Sequence, residues 1–175
     1  MVILPYLSEG YRYLVGPHNH TVGFESPEFD DSGFLIGDAA FGECWDGVPP
    51  DCFCPLDSTV RTPWPLNTDI LLRKTFFLPR GAFDVKVHVA IDNLIQVFVN
   101  GVEISKGMQS RHGCARRDYY IFSVPSKILV YGTNLLAVRA RDVSVISYVD
   151  LQVTAEFLIA TTSLSLRVSV EEGRK

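Results

Sequence analysis

A basic surplus is missing from this 175-residue chain: 16 Lys and Arg stand against 20 Asp and Glu, a net charge of −4. General nucleic-acid binders carry the opposite balance, which sets that class aside. Long apolar runs are missing too. The longest uncharged stretch of the C-terminal part, Phe157 to Leu166, is far short of the roughly 20 residues that span a bilayer, so no membrane insertion is expected. The opening Met1-Val-Ile-Leu-Pro-Tyr lacks both a basic n-region and a long apolar core, and no signal peptide is expected. There is no P-loop, no G-x-S-x-G elbow and no H-E-x-x-H pair, so the common nucleotide, serine-hydrolase and zincin chemistries have no foothold. Helical periodicity is also absent, since no helix-length window carries a 3.6-residue apolar stripe.

What is present is alternation. Val149, Leu151, Val153, Ala155 and Phe157 interleave with Asp150, Gln152, Thr154 and Glu156, the pattern of a strand with one buried and one wet face. Leu164, Leu166, Val168 and Val170 repeat it. Val85, Val87, Val89 and Ile91 form another row, with Lys86 and His88 opposite, and Leu136, Val138 and Ala140 oppose Arg139 and Arg141. Asp92-Asn93 is expected to break the strand ending at Ile91 from Ile95–Val99. Asn100-Gly101 suits a type I′ hairpin turn, whose two central residues need positive φ. Further strands are expected at Tyr11–Val15, Ile70–Phe77, Tyr119–Val124 and Asn134–Ala140. The fold class is therefore all-β, an antiparallel β-sandwich (jelly roll) of eight or nine strands. One domain is expected over residues 1–157, with an extra strand and charged tail over 158–175. From Gly16 to Thr68 the chain is instead rich in Pro, Gly, Asp and aromatics, a long irregular N-terminal excursion of the kind that often carries function.

Charge is polarised along the chain. Residues 1–60 hold ten acids against Arg12 alone, and residues 61–175 hold fifteen bases against ten acids. That polarity suits pairing within one fold, or head-to-tail contact between copies. Of the four cysteines, Cys44, Cys52 and Cys54 lie in the excursion and Cys114 in another loop. Free thiols are the first expectation for a chain without a secretion signal, disulfides the second and a metal site the third.

Several segments resemble the galactose-binding-like jelly-roll family. Phe29-Asp-Asp-Ser-Gly-Phe-Leu-Ile-Gly-Asp-Ala-Ala-Phe-Gly42 is similar to that family's opening segment. Thr68-Asp-Ile-Leu-Leu-Arg-Lys-Thr-Phe-Phe-Leu-Pro79 resembles its first sandwich strand, and Ala90-Ile-Asp-Asn-Leu-Ile-Gln-Val-Phe-Val-Asn-Gly101 its central hairpin. Asn134–Asp142 and Tyr148–Val153 resemble its closing strands. The likeness covers about residues 24–157 and implies a non-catalytic binding sandwich, often for glycans and often an accessory part of a larger protein or virion. It also implies a structural Ca2+ under the opening loop, for which Glu25, Asp30 and Asp31 are the candidate ligands beside loop carbonyls. His18-Asn19-His20 and Glu25 resemble part of the cupin metal motif, but the motif's glycine is replaced by Arg12 and its second half is absent, so an enzyme is not expected.

The candidate binding residues follow from chemistry. Arg111-His-Gly-Cys-Ala-Arg-Arg-Asp-Tyr-Tyr120 sets Arg111, His112, Arg116, Arg117 and Tyr119 on one loop, able to hydrogen-bond and stack on a sugar or to grip a partner's carboxylates. A plain solvated loop leading into the next strand fits the same residues. Trp45 and Trp64 offer indole faces for a pyranose ring; Trp64, between Pro63 and Pro65, is expected in a loop and partly exposed, or else plugging one end of the sandwich. The leading functional expectation is a structural and binding module on a larger assembly, a phage or virus particle, with homo-oligomeric contacts and glycan adhesion. The start at Met1, the missing leader and the extra terminal strand motivate it. A stand-alone carbohydrate-binding module is the alternative.

Overall fold

A computed structural model describes residues 1–16, 21–44 and 54–157. His18, His20, Trp45, Cys52 and the proposed strand and tail of 158–175 lie outside these residues. Strand β1 spans Val2–Leu4, β2 Tyr11–Gly16, β3 Leu35–Gly37, β4 Phe41–Cys44, β5 Thr62–Pro63 and β6 Asp69–Leu78. They are followed by β7 Ala82–Val99, β8 Val102–Glu103, β9 Gln109–Arg111, β10 Tyr120–Ser123, β11 Gly132–Arg141 and β12 Ile146–Phe157. The described residues thus hold more strands than the periodicity predicts. The surplus consists of two- and three-residue pieces such as β3, β5 and β8, too short to show alternation.

The strands form two layers. The first sheet runs β10, β7, β12 and then β4 and β5, with β1 on the free length of β12. The second runs β3, β2, β6, β11 and β7, with β8 and β9 on its far edge. Strand β7 belongs to both. Its residues up to Asp92 pair with β12, and from Leu94 onward with β11. Asp92-Asn93 therefore marks a change of sheet inside one continuous strand and not the expected break between two strands. Asn100 and Gly101 do make the expected turn, with φ of 49° and 81°, and place Val102 opposite Val99.

The alternating rows meet between the layers. Ile70, Leu72, Phe76 and Leu78 of β6 and Leu136, Val138 and Ala140 of β11 face Val85, Val87, Val89 and Ile91 of β7 and Val149, Leu151 and Val153 of β12. Each large side chain buried there contributes about 1.5–3 kcal/mol, the dominant stabilisation of the sandwich. Where β4 lies against β12, Gly42 is required, because a Cβ at that position would stand 2.5 Å from the Ser147 carbonyl oxygen.

The N-terminal excursion is used to cover outer faces. On the second sheet, Phe24, Phe29 and Phe34 pack over Leu14, Leu71, Phe98 and Ala137. On the first, Leu56 and Val60 join Tyr6, Leu7 and Ala115 over Ala40, Ala90 and Tyr148. A Cys54–Cys114 disulfide ties that second cover to the loop after β9. Cys44 is disulfide-bonded as well, and none of the described cysteines is free, which corrects the expectation of free thiols for Cys44, Cys54 and Cys114. Sequence spacing gave no sign of this pairing, since its partners are 60 residues apart.

Candidate functional site

The loop between β9 and β10 is strung between two strands that both pair with β7. Arg111 lies opposite Asn93 and Tyr120 opposite Val89, so the loop's ends are fixed where β7 passes from one sheet to the other. The disulfide pins its middle at Cys114, and Ala115 is buried beside Tyr148. Arg111 donates to the Cys114 carbonyl at 2.8 Å, and its guanidinium lies 4.1 Å from the centre of the Tyr119 ring. Arg117 lies 5.1 Å from the centre of the Tyr6 ring. Each Arg–Tyr stack contributes about 0.5–1 kcal/mol at an exposed site and, more usefully, fixes the guanidinium plane.

Asp118 is the anchor between the two stacks. Its backbone is left-handed, with φ of 58°. Its N–H donates to the Tyr6 hydroxyl at 3.0 Å, and that hydroxyl donates to the Asp118 carboxylate at 3.1 Å. His88 Nδ1 lies 2.8 Å from the same carboxylate oxygen, while His88 Nε2 lies 2.8 Å from the Thr154 hydroxyl. This Thr–His–Asp–Tyr chain joins the N-terminal segment, the loop, β7 and β12. Arg116 and Arg117, by contrast, make no hydrogen bond or ion pair among the described residues. His112 is exposed, with Nε2 3.3 Å from the Ser110 hydroxyl. Of the predicted residues, Arg111 and Tyr119 are in contact and Arg117 meets Tyr6, while His112 and Arg116 are exposed in the same loop.

Buried acids underlie this surface. Asp150 accepts the Leu7 N–H at 3.1 Å and the Leu151 N–H at 2.8 Å. Burial pushes its carboxyl up to about 6, opposed by those N–H groups and by Arg117 and Arg61. Asp92, at the sheet change, is pushed up to about 7 by burial and then by the Asp142 charge, with Arg111 opposing. Burial raises Asp142 as well.

The opening loop on the second sheet is held differently. Arg73, buried in β6, donates from Nε to Asp31 at 2.7 Å and from its terminal nitrogens to the carbonyls of Phe24, Ser26 (2.9 Å) and Phe29 (3.4 Å). Asp30 caps the Ser32 N–H at 3.0 Å. Among the described residues no group of three or more His, Cys, Asp or Glu is arranged to hold a metal. The Asp31 carboxylate and the loop carbonyls of Phe24, Ser26 and Phe29, groups that a calcium ion at Glu25, Asp30 and Asp31 would draw on, are bonded to the Arg73 guanidinium. Nearby, a cavity of about 680 Å³ is lined by Arg12, Asp31, Arg73, Lys74, Asn100 and Asn134, among others. Its polar groups are braces, with Lys74 donating to the Glu9 carbonyl at 2.7 Å and Asn100 to the Ile128 carbonyl at 2.7 Å.

Trp64 requires a correction. It is fully buried, which agrees with the plugging alternative and overturns the partly exposed one and its use as a sugar-stacking face. The parallel pairing of β5 with β4 directs the Trp64 N–H to the Gly42 carbonyl, and Ser147 donates to the Trp64 carbonyl, so the indole enters the core with its Nε1 unpartnered. Sequence reasoning missed Tyr6, Asp118 and Arg73. Tyr6 and Asp118 are 112 residues apart, and only the closure of the fold joins them. Arg73 did carry a signal, as one of two adjacent bases, with Lys74, set between the apolar runs Ile70–Leu72 and Phe76–Leu78.

Neither a protein-family model nor a curated protein matches the chain by sequence. Solved structures do match in shape. A β-glucuronidase 2 of Bacteroides uniformis superposes with a TM-score of 0.59 at 14% identity, over 89% of this chain and 18% of that one. A glycosyl hydrolase family 2 member from Bacteroides cellulosilyticus gives 0.56 at 16% identity, over 86% and 20%. A β-glucuronidase from Ruminococcus gnavus gives 0.54 at 14% identity, over 88% and 29%. What they share with this chain is the fold. The chain spans about a fifth to less than a third of the length of these proteins. No helix among the described residues is long and apolar enough to cross a membrane.

Proposed function

We propose that this chain is a non-catalytic, carbohydrate-binding accessory module of a larger protein or assembly, and that it binds through the arginine–tyrosine loop on the first sheet. The observation that carries the reading is the contrast inside that loop. Its backbone is immobilised by a disulfide and by Asp118, while Arg116, Arg117 and Tyr119 face solvent. Rigid backbone under exposed hydrogen-bonding and aromatic side chains is what a binding surface needs, because little ordering entropy is left to lose on association. The same sandwich occurs within glycosyl hydrolases several times this length, which favours an accessory module of a carbohydrate-active protein over the virion component expected from sequence. The disulfide points the same way, toward an oxidising compartment.

A glycan array run in calcium and again in EDTA tests this. Saturable binding to one sugar class, equal in both conditions, is expected. A blank array in both would end the carbohydrate reading and return attention to protein partners in an assembly.

A further inference from the structure

We infer that the Arg116, Arg117 and Tyr119 surface recognises sugars bearing an oxyanion, a uronate carboxylate or a sulfate on a pyranose ring, in preference to neutral sugars. The inference rests on the module reading above and assigns its ligand class.

Availability is the first argument. Nine arginines are described, and all but Arg80, Arg116 and Arg117 make a hydrogen bond or an ion pair, even in a chain with excess acid. Two of the three uncommitted ones are adjacent in the pinned loop. Neither is paired with a carboxylate among the described residues: Asp118 is engaged by His88 and Tyr6, and Asp150, whose charged form Arg117 favours, is buried beneath Leu7. Geometry is the second. Arg117 is placed over the Tyr6 ring, 5.1 Å from its centre, with its guanidinium donors unbonded among the described residues, and paired N–H donors match the two oxygens of a carboxylate or sulfate. Neutral hydroxyls satisfy those donors less well, because charge-assisted bonds are roughly twice as strong.

The ring of the ligand has its own contact. Tyr119 is 44% exposed beside the exposed Ile121, and the Arg111 guanidinium and the Tyr120 ring, whose centre is 4.8 Å away, keep it from turning. A handful of side chains on one loop fits one or two sugar residues better than an acidic protein, whose stable interfaces use about 20–30 residues a side.

The test titrates the full chain with polygalacturonate, dextran sulfate, unmodified dextran and polyglutamate, following affinity and its salt dependence. The wild type is expected to bind polygalacturonate or dextran sulfate about tenfold or more tightly than dextran, and the stronger of the two names the oxyanion. Arg116→Ala with Arg117→Ala should weaken that binding by about ten- to a hundredfold and flatten its salt dependence. Tyr119→Ala should weaken it while keeping the salt slope. Arg80→Ala with Lys127→Ala removes the same charge elsewhere and should change affinity little. Circular dichroism of each variant confirms the fold. Binding of neutral dextran or of neutral array glycans alone would overturn the oxyanion assignment and leave the module reading standing. Polyglutamate binding as tight as that of the acidic glycans would overturn it in favour of a protein partner. No binding to any glycan would overturn both. Unchanged affinity in the arginine double variant would overturn the site.

Discussion

The two outer faces of this sandwich are both covered by irregular chain, and both covers involve arginine, yet the arginines have opposite roles. On the second sheet, Arg73 is buried and every contact it makes is to the loop it holds: Asp31 and the carbonyls of Phe24, Ser26 and Phe29. On the first sheet the cover is closed by a disulfide and by the His88–Asp118–Tyr6 contacts, so Arg116 and Arg117 make no hydrogen bond or ion pair among the described residues, and Arg117 only lies over the Tyr6 ring. The same side chain is a brace in one place and a free donor in the other. Its partners decide which, and its solvent exposure follows from them.

Removing the brace should have the largest effect on stability. Arg73→Ala leaves the Asp31 carboxylate and three loop carbonyls without their donor, and a loss of about 4 kcal/mol is expected, as for other broken buried pairs. In thermal unfolding that corresponds to a fall in Tm of roughly 8–16 °C for a domain of this size. A change under a degree or two would show that the opening loop is held by its phenylalanines alone.

Opening the other cover should cost less. Cys54→Ser with Cys114→Ser removes a cross-link and should lower stability by about 3 kcal/mol in urea titrations. It should also weaken glycan binding, since the loop would then have to be ordered at the moment of association. Full affinity in the unbridged protein would mean that Asp118 suffices to shape the loop.

Acidity should act in a direction set by the buried carboxyls. Asp92 and Asp150 have carboxyls pushed up to about 7 and about 6 from an ordinary 3.8. Between about pH 4 and pH 7 the folded protein therefore retains protons that the unfolded chain has released, and stability falls as pH rises through that window. Tm measured across it should decline, and Asp92→Asn should make the decline shallower. A Tm that rises over the same range would contradict the burial of these groups as charged liabilities.

The smallest effect on stability belongs to the exposed arginines. Arg116→Ala with Arg117→Ala should change unfolding free energy by no more than about 1 kcal/mol, the worth of the Arg117–Tyr6 stack at an exposed site.

Much of the architecture was legible in the sequence, because a sandwich strand with one wet face writes itself as alternation. The rows of β7, β11 and β12 are in the core as read, and the Asn100-Gly101 hairpin is where its backbone chemistry requires. The passage of β7 between sheets was not legible: a polar Asp92-Asn93 pair looks the same at a turn and at a change of sheet. The arginine loop was found by composition, but its anchors were not, since Tyr6 meets Asp118 only after β1 closes on β12 and β12 on β7. Trp64 misled for a local reason, as flanking prolines usually mark exposed loop, and here one of them lies in a short parallel pairing that turns the indole inward.

The division of labour between the two faces can be read in one thermal unfolding experiment, with and without saturating polygalacturonate or dextran sulfate, on the wild type and on Arg116→Ala with Arg117→Ala. Ligand bound only by the folded state raises Tm. The wild type should unfold later with the acidic glycan. The double variant should begin within about 4 °C of the wild type, the most the lost Arg117–Tyr6 stack can cost, and gain nothing from the glycan. A double variant that starts roughly 8 °C or more lower, as expected for a lost brace, or that gains as much as the wild type, would contradict the account.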